Sequence, residues 1–102
     1  MIFELPLKIT PEALKQIKMI MAEKSVPQGY GLRVGTNSAA SCGTTSFMLG
    51  FDKKKVGDDS FQFEGIEVLI NKKEMLHLIN VTLDYEEGEE VSGFRFDKPT
   101  LV

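Results

Sequence analysis

The sequence predicts an α+β fold dominated by β-strands, on three observations. One strongly helical segment stands near the N-terminus, between Thr10 and Lys24. From Tyr30 to Phe96, apolar residues then recur mostly at every second position, the period of a half-buried strand. The order of segments is one helix, several strands, a short helix and a closing hairpin, which is not the βαβα alternation of a parallel α/β fold.

Residues 1–9 alternate partially through Phe3, Leu5, Leu7 and Ile9, with Pro6 inside, which predicts an edge strand or extended arm. Thr10 is a good helix N-cap, Pro11 suits the first helical position and Glu12 favours the positive end of the helix dipole. Leu14, Ile17, Ile20 and Met21 follow at helical spacing, so an amphipathic helix of about three to four turns ends near Lys24. Its Lys15, Lys18 and Lys24 read as a solvated face.

Tyr30, Leu32 and Val34 predict a strand, and the small polar stretch Thr36 to Thr45, which contains Cys42, reads as a loop. Phe47, Leu49 and Phe51 resume alternation, and Asp52–Asp59 reads as a charged turn before Phe61 and Phe63. Glu64-Gly65 is a tight turn into Ile66, Val68 and Ile70, so this part of the chain reads as most of a β-meander. Asn71 can cap a short helix through Leu78, after which Val81, Leu83 and Tyr85 alternate again. The acidic run Glu86–Glu90 separates them from a last strand with Phe94 and Phe96, ended by Pro99.

At 102 residues the chain has the size of a single domain, 1–102, with room for one core. Its 42% hydrophobic and 26% charged residues are near the globular average, which excludes a disordered chain. The net charge is −3 and the basic residues are scattered apart from Lys53-Lys54-Lys55, so nucleic acid is not an expected partner. No basic leader opens the sequence and nothing approaches the roughly 20 apolar residues that span a bilayer, so a cytoplasmic protein without membrane attachment is expected. The lone cysteine, Cys42, excludes an internal disulfide and any metal cage built from several cysteines of this chain.

Read in order from about Lys8 to Pro99, these segments resemble the HesB-like family of A-type iron–sulfur carriers. The resemblance rests on the capped helix start Ile9-Thr10-Pro11-Glu12-Ala13 and on Leu32-Arg33-Val34-Gly35, which matches a strand of the form LRxG. Ser41-Cys42-Gly43 follows in place of the family's GCSG loop and leads into Phe47-Met48-Leu49-Gly50-Phe51. Gly65-Ile66-Glu67-Val68, Leu83-Asp84-Tyr85 and Gly93-Phe94-Arg95-Phe96 running to Pro99 complete the ordered set. The resemblance implies a fold of two packed, curved β-sheets with one longer N-terminal helix and one short helix outside. It also implies association as homo-oligomers, and a role in receiving iron or an iron–sulfur cluster and passing it to assembly or acceptor proteins.

The family's ligands are three cysteines, one in the GCSG loop and two in a C-terminal CGC tail. With about one extra loop residue allowed, Cys42 matches the first, and it is the one cofactor- and metal-binding residue the resemblance carries over. The chain stops at Val102, about where the other two would begin, so they are expected to be missing. Iron–sulfur clusters usually take four protein ligands, and a dimer bridged by Cys42 supplies two. The rest would come from a small thiol, from carboxylates such as Asp84 or Glu86, or from a partner.

Read from the residues alone, Cys42 is either a small residue in a Ser/Ala/Thr loop or an iron ligand or reactive thiol. His77, the sole histidine, reads as a surface or packed residue, Asp84 and Tyr85 as sheet residues with Asp84 facing out, and Glu86–Glu90 as a solvated turn. No base accompanies the cysteine in sequence, and no phosphate-binding or dinucleotide motif is present, so an enzyme is not expected. Three readings follow. The chain is a divergent carrier that handles iron or a cluster transiently through Cys42, shared between chains or with a partner; or a HesB-like interaction module that has lost cluster binding; or a thiol-based redox sensor.

Overall fold

The computed structural model describes residues 5–39, 44–88 and 92–97. They form two compact units, one from Pro27–Leu78 and one from Pro6–Val26 with the chain from Ile79 onward. The elements in order are β1 (Lys8–Ile9), α1 (Pro11–Glu23), β2 (Tyr30–Ala39), β3 (Thr44–Lys53), β4 (Asp58–Phe63) and β5 (Ile66–Asn71). A single 3-10 turn, Lys72–Glu74, then runs into α2 (Met75–Leu78), followed by β6 (Thr82–Glu87) and β7 (Ser92–Asp97). The class is α+β with strands predominant, as the sequence predicts.

In the unit that holds α1, a three-stranded sheet has the order β1-β6-β7. The helix starts where predicted. Thr10 is extended (φ −71°, ψ 157°) and its hydroxyl accepts from the Ala13 N–H at 3.2 Å, while Pro11 takes the first turn, where no amide donor is required. Lys24 closes the helix, its N–H bonding to Ile20 O at 2.9 Å. Ala13 and Ile17 form the buried stripe, and α1 packs on β6. Burying one such isoleucine contributes about 2–3 kcal/mol. Among the described residues, Leu7, Ile9, Val81 and Leu83 are also buried in this unit.

The strand expected in residues 1–9 is only Lys8–Ile9, at the sheet edge and parallel to β6 (Lys8↔Thr82, Ile9↔Leu83); Met1–Glu4 lie outside the described residues. Pro6 cannot donate to a ladder, which keeps the strand short. On the other side β7 pairs antiparallel with β6, and the Tyr85 and Phe94 rings meet edge to face at 5.0 Å across that pair.

In the other unit a four-stranded sheet has the order β3-β2-β5-β4. The expected meander is therefore corrected: β3 and β4, neighbours in sequence, lie at opposite edges, and β2 runs parallel to β5 (Leu32↔Val68, Arg33↔Leu69). Period-two alternation marks strands but not their partners. The choice of centre follows burial instead: Ile66, Val68 and Ile70 on one face of β5 and Leu69 on the other are all buried, and Leu32 and Val34 of β2 are fully buried beside them. Glu64 (φ 48°) and Gly65 (φ 87°) form the two-residue turn between β4 and β5, both in the left-handed region that the tightest hairpins need.

Two predicted loops are shorter than expected. β2 continues to Ala39 and β3 begins at Thr44, because the antiparallel ladder carries on through Thr36↔Phe47 and Ser38↔Thr45 to Ala39↔Thr44. Backbone pairing here overrides the loop bias of small polar residues. Likewise β3 reaches Lys53 and β4 starts at Asp58, leaving Lys54–Gly57 as the turn. Asn71 caps the short helical segment as predicted, its Oδ1 accepting from the Lys73 N–H at 2.9 Å. No helix among the described residues is long and apolar enough to cross a membrane.

Candidate functional site

The β2–β3 hairpin is the platform of the candidate site. Ten residues of each strand pair from Tyr30↔Lys53 to Ala39↔Thr44. Cys42, the residue singled out by sequence, belongs to the four residues of chain between Ala39 and Thr44 and lies outside the described residues. Among the described residues, β2 pairs with β5 at Leu32 and Arg33, and from Val34 to Ala39 its ladder is with β3 alone. The end of the hairpin nearest Cys42 is thus a two-stranded ribbon rooted in a four-stranded sheet.

At the root sits an ionic cluster that sequence reasoning missed. Arg33 reaches Asp58 with two bonds, Nη1 to Oδ1 at 2.9 Å and Nη2 to Oδ2 at 2.6 Å, and Asp52 through Nε at 3.1 Å. Its Nη2 also donates to Lys53 O at 2.9 Å. The Asp58 side chain is fully buried, and its Oδ2 takes a further bond from the Lys55 N–H at 2.7 Å. Lys55 Nζ pairs with Asp52 at 3.1 Å. The Arg33 bonds hold the Asp58 carboxyl below the usual carboxylate range against the opposing effect of burial. Asp52 is lowered too, first by Lys55 and then by the Lys53 N–H. With its guanidinium occupied by protein acceptors, Arg33 clamps the β3–β4 turn to the centre of the sheet. The signal that could have revealed this was a lone arginine between the buried Leu32 and Val34, with aspartates on both sides of one turn.

The carboxylates considered as additional ligands are already engaged. Asp84 Oδ1 accepts from the Thr10 hydroxyl at 2.7 Å and from the Tyr85 N–H at 2.8 Å, and these bonds, Thr10 first, lower its pKa. Glu86 is paired with Arg95, which also reaches Asp97 at 3.0 Å. The expectation that Asp84 simply faces out from the sheet is corrected, because it is half-buried at the start of α1. Tyr85 serves the sheet as expected, through its contact with Phe94. His77 is exposed on α2. Glu86 and Glu87 are solvated, whereas Glu89 and Glu90 lie outside the described residues. Among the described residues no group of three or more His, Cys, Asp or Glu side chains is arranged to hold a metal ion. The ligand set of a cluster is therefore not assembled by the described part of this chain.

Comparison with known proteins gives the family. Residues 5–102 match the profile described as iron–sulphur cluster biosynthesis. The mitochondrial iron–sulfur cluster assembly 1 homolog of Rattus norvegicus is 33% identical over 96 residues, covering 93% of this chain and 72% of the rat protein. The crystal structure of Escherichia coli SufA, described as involved in biosynthesis of iron–sulfur clusters, superposes with a TM-score of 0.76 at 21% identity, covering 94% of this chain and 82% of SufA. That of IscA with a [2Fe-2S] cluster superposes at 0.69 and 22% identity, covering 91% and 82%. These two likenesses concern the fold, which they share with the two sheets and two helices described above. With nearly its whole length matched by the profile and with such relatives in sequence, this chain belongs to the iron–sulfur cluster biosynthesis family, the HesB/IscA type.

Proposed function

We propose that this protein is a divergent carrier that receives iron or an iron–sulfur cluster and releases it to assembly or acceptor proteins, with Cys42 as its own ligand. The observation that carries this reading is the position of Cys42, in the short connection between Ala39 and Thr44 of a long hairpin, within a chain of the iron–sulfur cluster biosynthesis family. IscA, of the same fold, is a protein whose structure contains a [2Fe-2S] cluster. One thiol per chain gives a symmetric dimer two of the four ligands that a cluster usually takes, so the other two come from a small thiol or the partner protein. Binding of that kind is transient. The protein acts as a cytoplasmic homo-oligomer and as a carrier, not as a catalyst.

A second reading, an interaction module that has given up cluster binding, is favoured by one observation: Asp84 and Glu86, which could have filled the ligand set, are bonded to Thr10 and Arg95 instead. Anaerobic reconstitution with ferrous iron and sulfide separates the two. Visible absorbance and bound iron are compared between the wild type and Cys42→Ala. Colour and iron in the wild type that disappear in the variant support the carrier. A wild type that takes up neither supports the interaction module.

A further inference from the structure

Helix α1 has a second face that the described residues leave uncovered. Pro11, Leu14, Lys15, Lys18, Met19 and Ala22 follow the i, i+3, i+4, i+7, i+8, i+11 pattern, one stripe lying opposite Ala13 and Ile17. Together they line an open hollow of about 510 Å³ whose floor is apolar and whose only charges are the two ammonium groups. Met19 is 44% exposed, and both lysines are exposed. Among the described residues neither lysine forms an ion pair, as is also the case for Lys8, Lys24, Lys53, Lys54 and Lys73, so both ammonium groups are free to meet a partner's charge. A second hollow, of about 400 Å³, shares Lys15 and Met19 but is bordered by Glu12 and Glu87. Lys15 is common to both hollows; beside it the first carries the positive charge of Lys18 and the second the negative charge of Glu12 and Glu87.

We infer that this face of α1 docks a partner protein through an acidic, amphipathic helix. The apolar side of that helix seats on Leu14, Met19 and Ala22, its carboxylates meet Lys15 and Lys18, and Glu12 with Glu87 repels the reversed orientation. The length fits, since Pro11 to Ala22 spans about 16 Å, or three helical turns. Methionine at the centre suits such a seat because its flexible thioether adapts to varied apolar surfaces. An anionic membrane is the poorer match, because polybasic lipid-binding segments carry about four to eight cations and this face has two. Docking here is independent of Cys42 and of any iron, so the test stands or falls apart from the carrier reading.

The test is a titration of the full-length, isotope-labelled protein, followed by amide chemical shifts. The probe is a synthetic helical peptide of about five turns with leucine at i, i+3, i+4 and i+7 and glutamate elsewhere. A counterpart with lysine in place of glutamate and vesicles of phosphatidylserine serve as the other arms. The expected result is saturable shifts confined to Pro11–Ala22 with the glutamate peptide. Lys15→Glu with Lys18→Glu should weaken its affinity about tenfold, and Met19→Ala should weaken it as well. Equal responses to both peptides, no shift in that stretch, or a response to vesicles in place of peptide would overturn the inference.

Discussion

The Thr10 hydroxyl donates to Asp84 Oδ1 at 2.7 Å while accepting from the Ala13 N–H at 3.2 Å, so a single hydroxyl caps helix α1 and ties it to β6, 74 residues away. Thr10→Val keeps the shape and removes both bonds. The cap alone is worth about 1 kcal/mol, and the expected loss is at least that, read from urea unfolding. Ser at the same position should restore most of it. A variant as stable as the wild type would show that the bond has no energetic role.

The Arg33–Asp58 pair is the more expensive to break. Arg33→Met leaves a buried carboxylate without its main partner, and because Arg33 is itself 24% exposed the expected loss is about 2–3 kcal/mol, just under the ~3–5 kcal/mol of fully buried pairs. A loss below about 0.5 kcal/mol would place this pair with ordinary surface contacts.

The same carboxylates set the acid limit of stability. Asp58, Asp52 and Asp84 all have lowered pKa values in the folded protein. The unfolded chain therefore binds protons first, so their stabilisation is fully present above the ordinary carboxylate range of about 4. It falls away as pH drops through that range toward the lowered values. Urea midpoints measured from neutral pH downward should decline only below about pH 5, and Asp58→Asn should flatten the decline. A midpoint that declines equally in that variant would remove Asp58 from the explanation.

Two buried glycines in β2 should respond differently to alanine. At Gly31 a Cβ would stand 2.9 Å from Glu67 O and 3.1 Å from Leu69 Cγ, where β2 and β5 approach, and backbone cannot easily yield. At Gly35 the obstacle is Glu74 Oε2, the far end of a side chain that can swing away. Gly31→Ala should cost about 1–3 kcal/mol and Gly35→Ala clearly less, compared by thermal unfolding. The reverse ranking would contradict the packing described here.

If Cys42 is one ligand among several supplied from outside the chain, an added small thiol should matter. Reduced glutathione is expected to raise the iron retained by reconstituted wild type and to leave Cys42→Ala unaffected, measured by gel filtration and iron assay. Equal retention by both proteins would dissociate Cys42 from iron.

What could be read from sequence was what local chemistry decides. The start of α1 was legible because Thr10, Pro11 and Glu12 act within one turn of each other, and the Glu64-Gly65 hairpin because its two residues set the turn. The two sheets and two helices came by family resemblance, and the chain's place in that family follows. The parallel pairing of β2 with β5 was not legible, since Leu32 and Val68 meet through tertiary packing that alternation does not encode. Thr36–Ala39 read as loop because small polar residues carry weak strand preference, yet their ladder with β3 continues. Arg33 was visible as a motif residue, but its aspartate partners come together only once β3 and β4 are in place. Cys42 was named from sequence and lies outside the described residues.

The chain order of the two units bears on how the molecule is made. Pro27–Leu78 is continuous, with two tight antiparallel hairpins, so it can assemble from contacts close in sequence. The other unit needs β6 and β7, which leave the ribosome after β2–β5, while α1 leaves before them and has its buried stripe, Ala13 and Ile17, without a sheet until then. Closing that long loop is entropically cheaper once the continuous segment has already condensed. We predict a folding order from this: substitutions such as Val68→Ala slow folding, whereas Leu83→Ala mainly accelerates unfolding, as separated by the two arms of a chevron plot. The opposite assignment would mean that α1 and β6 meet first. In the predicted order, a chain cut short before Val81 carries a finished sheet and an orphaned helix, which makes α1 the segment most in need of a chaperone during synthesis.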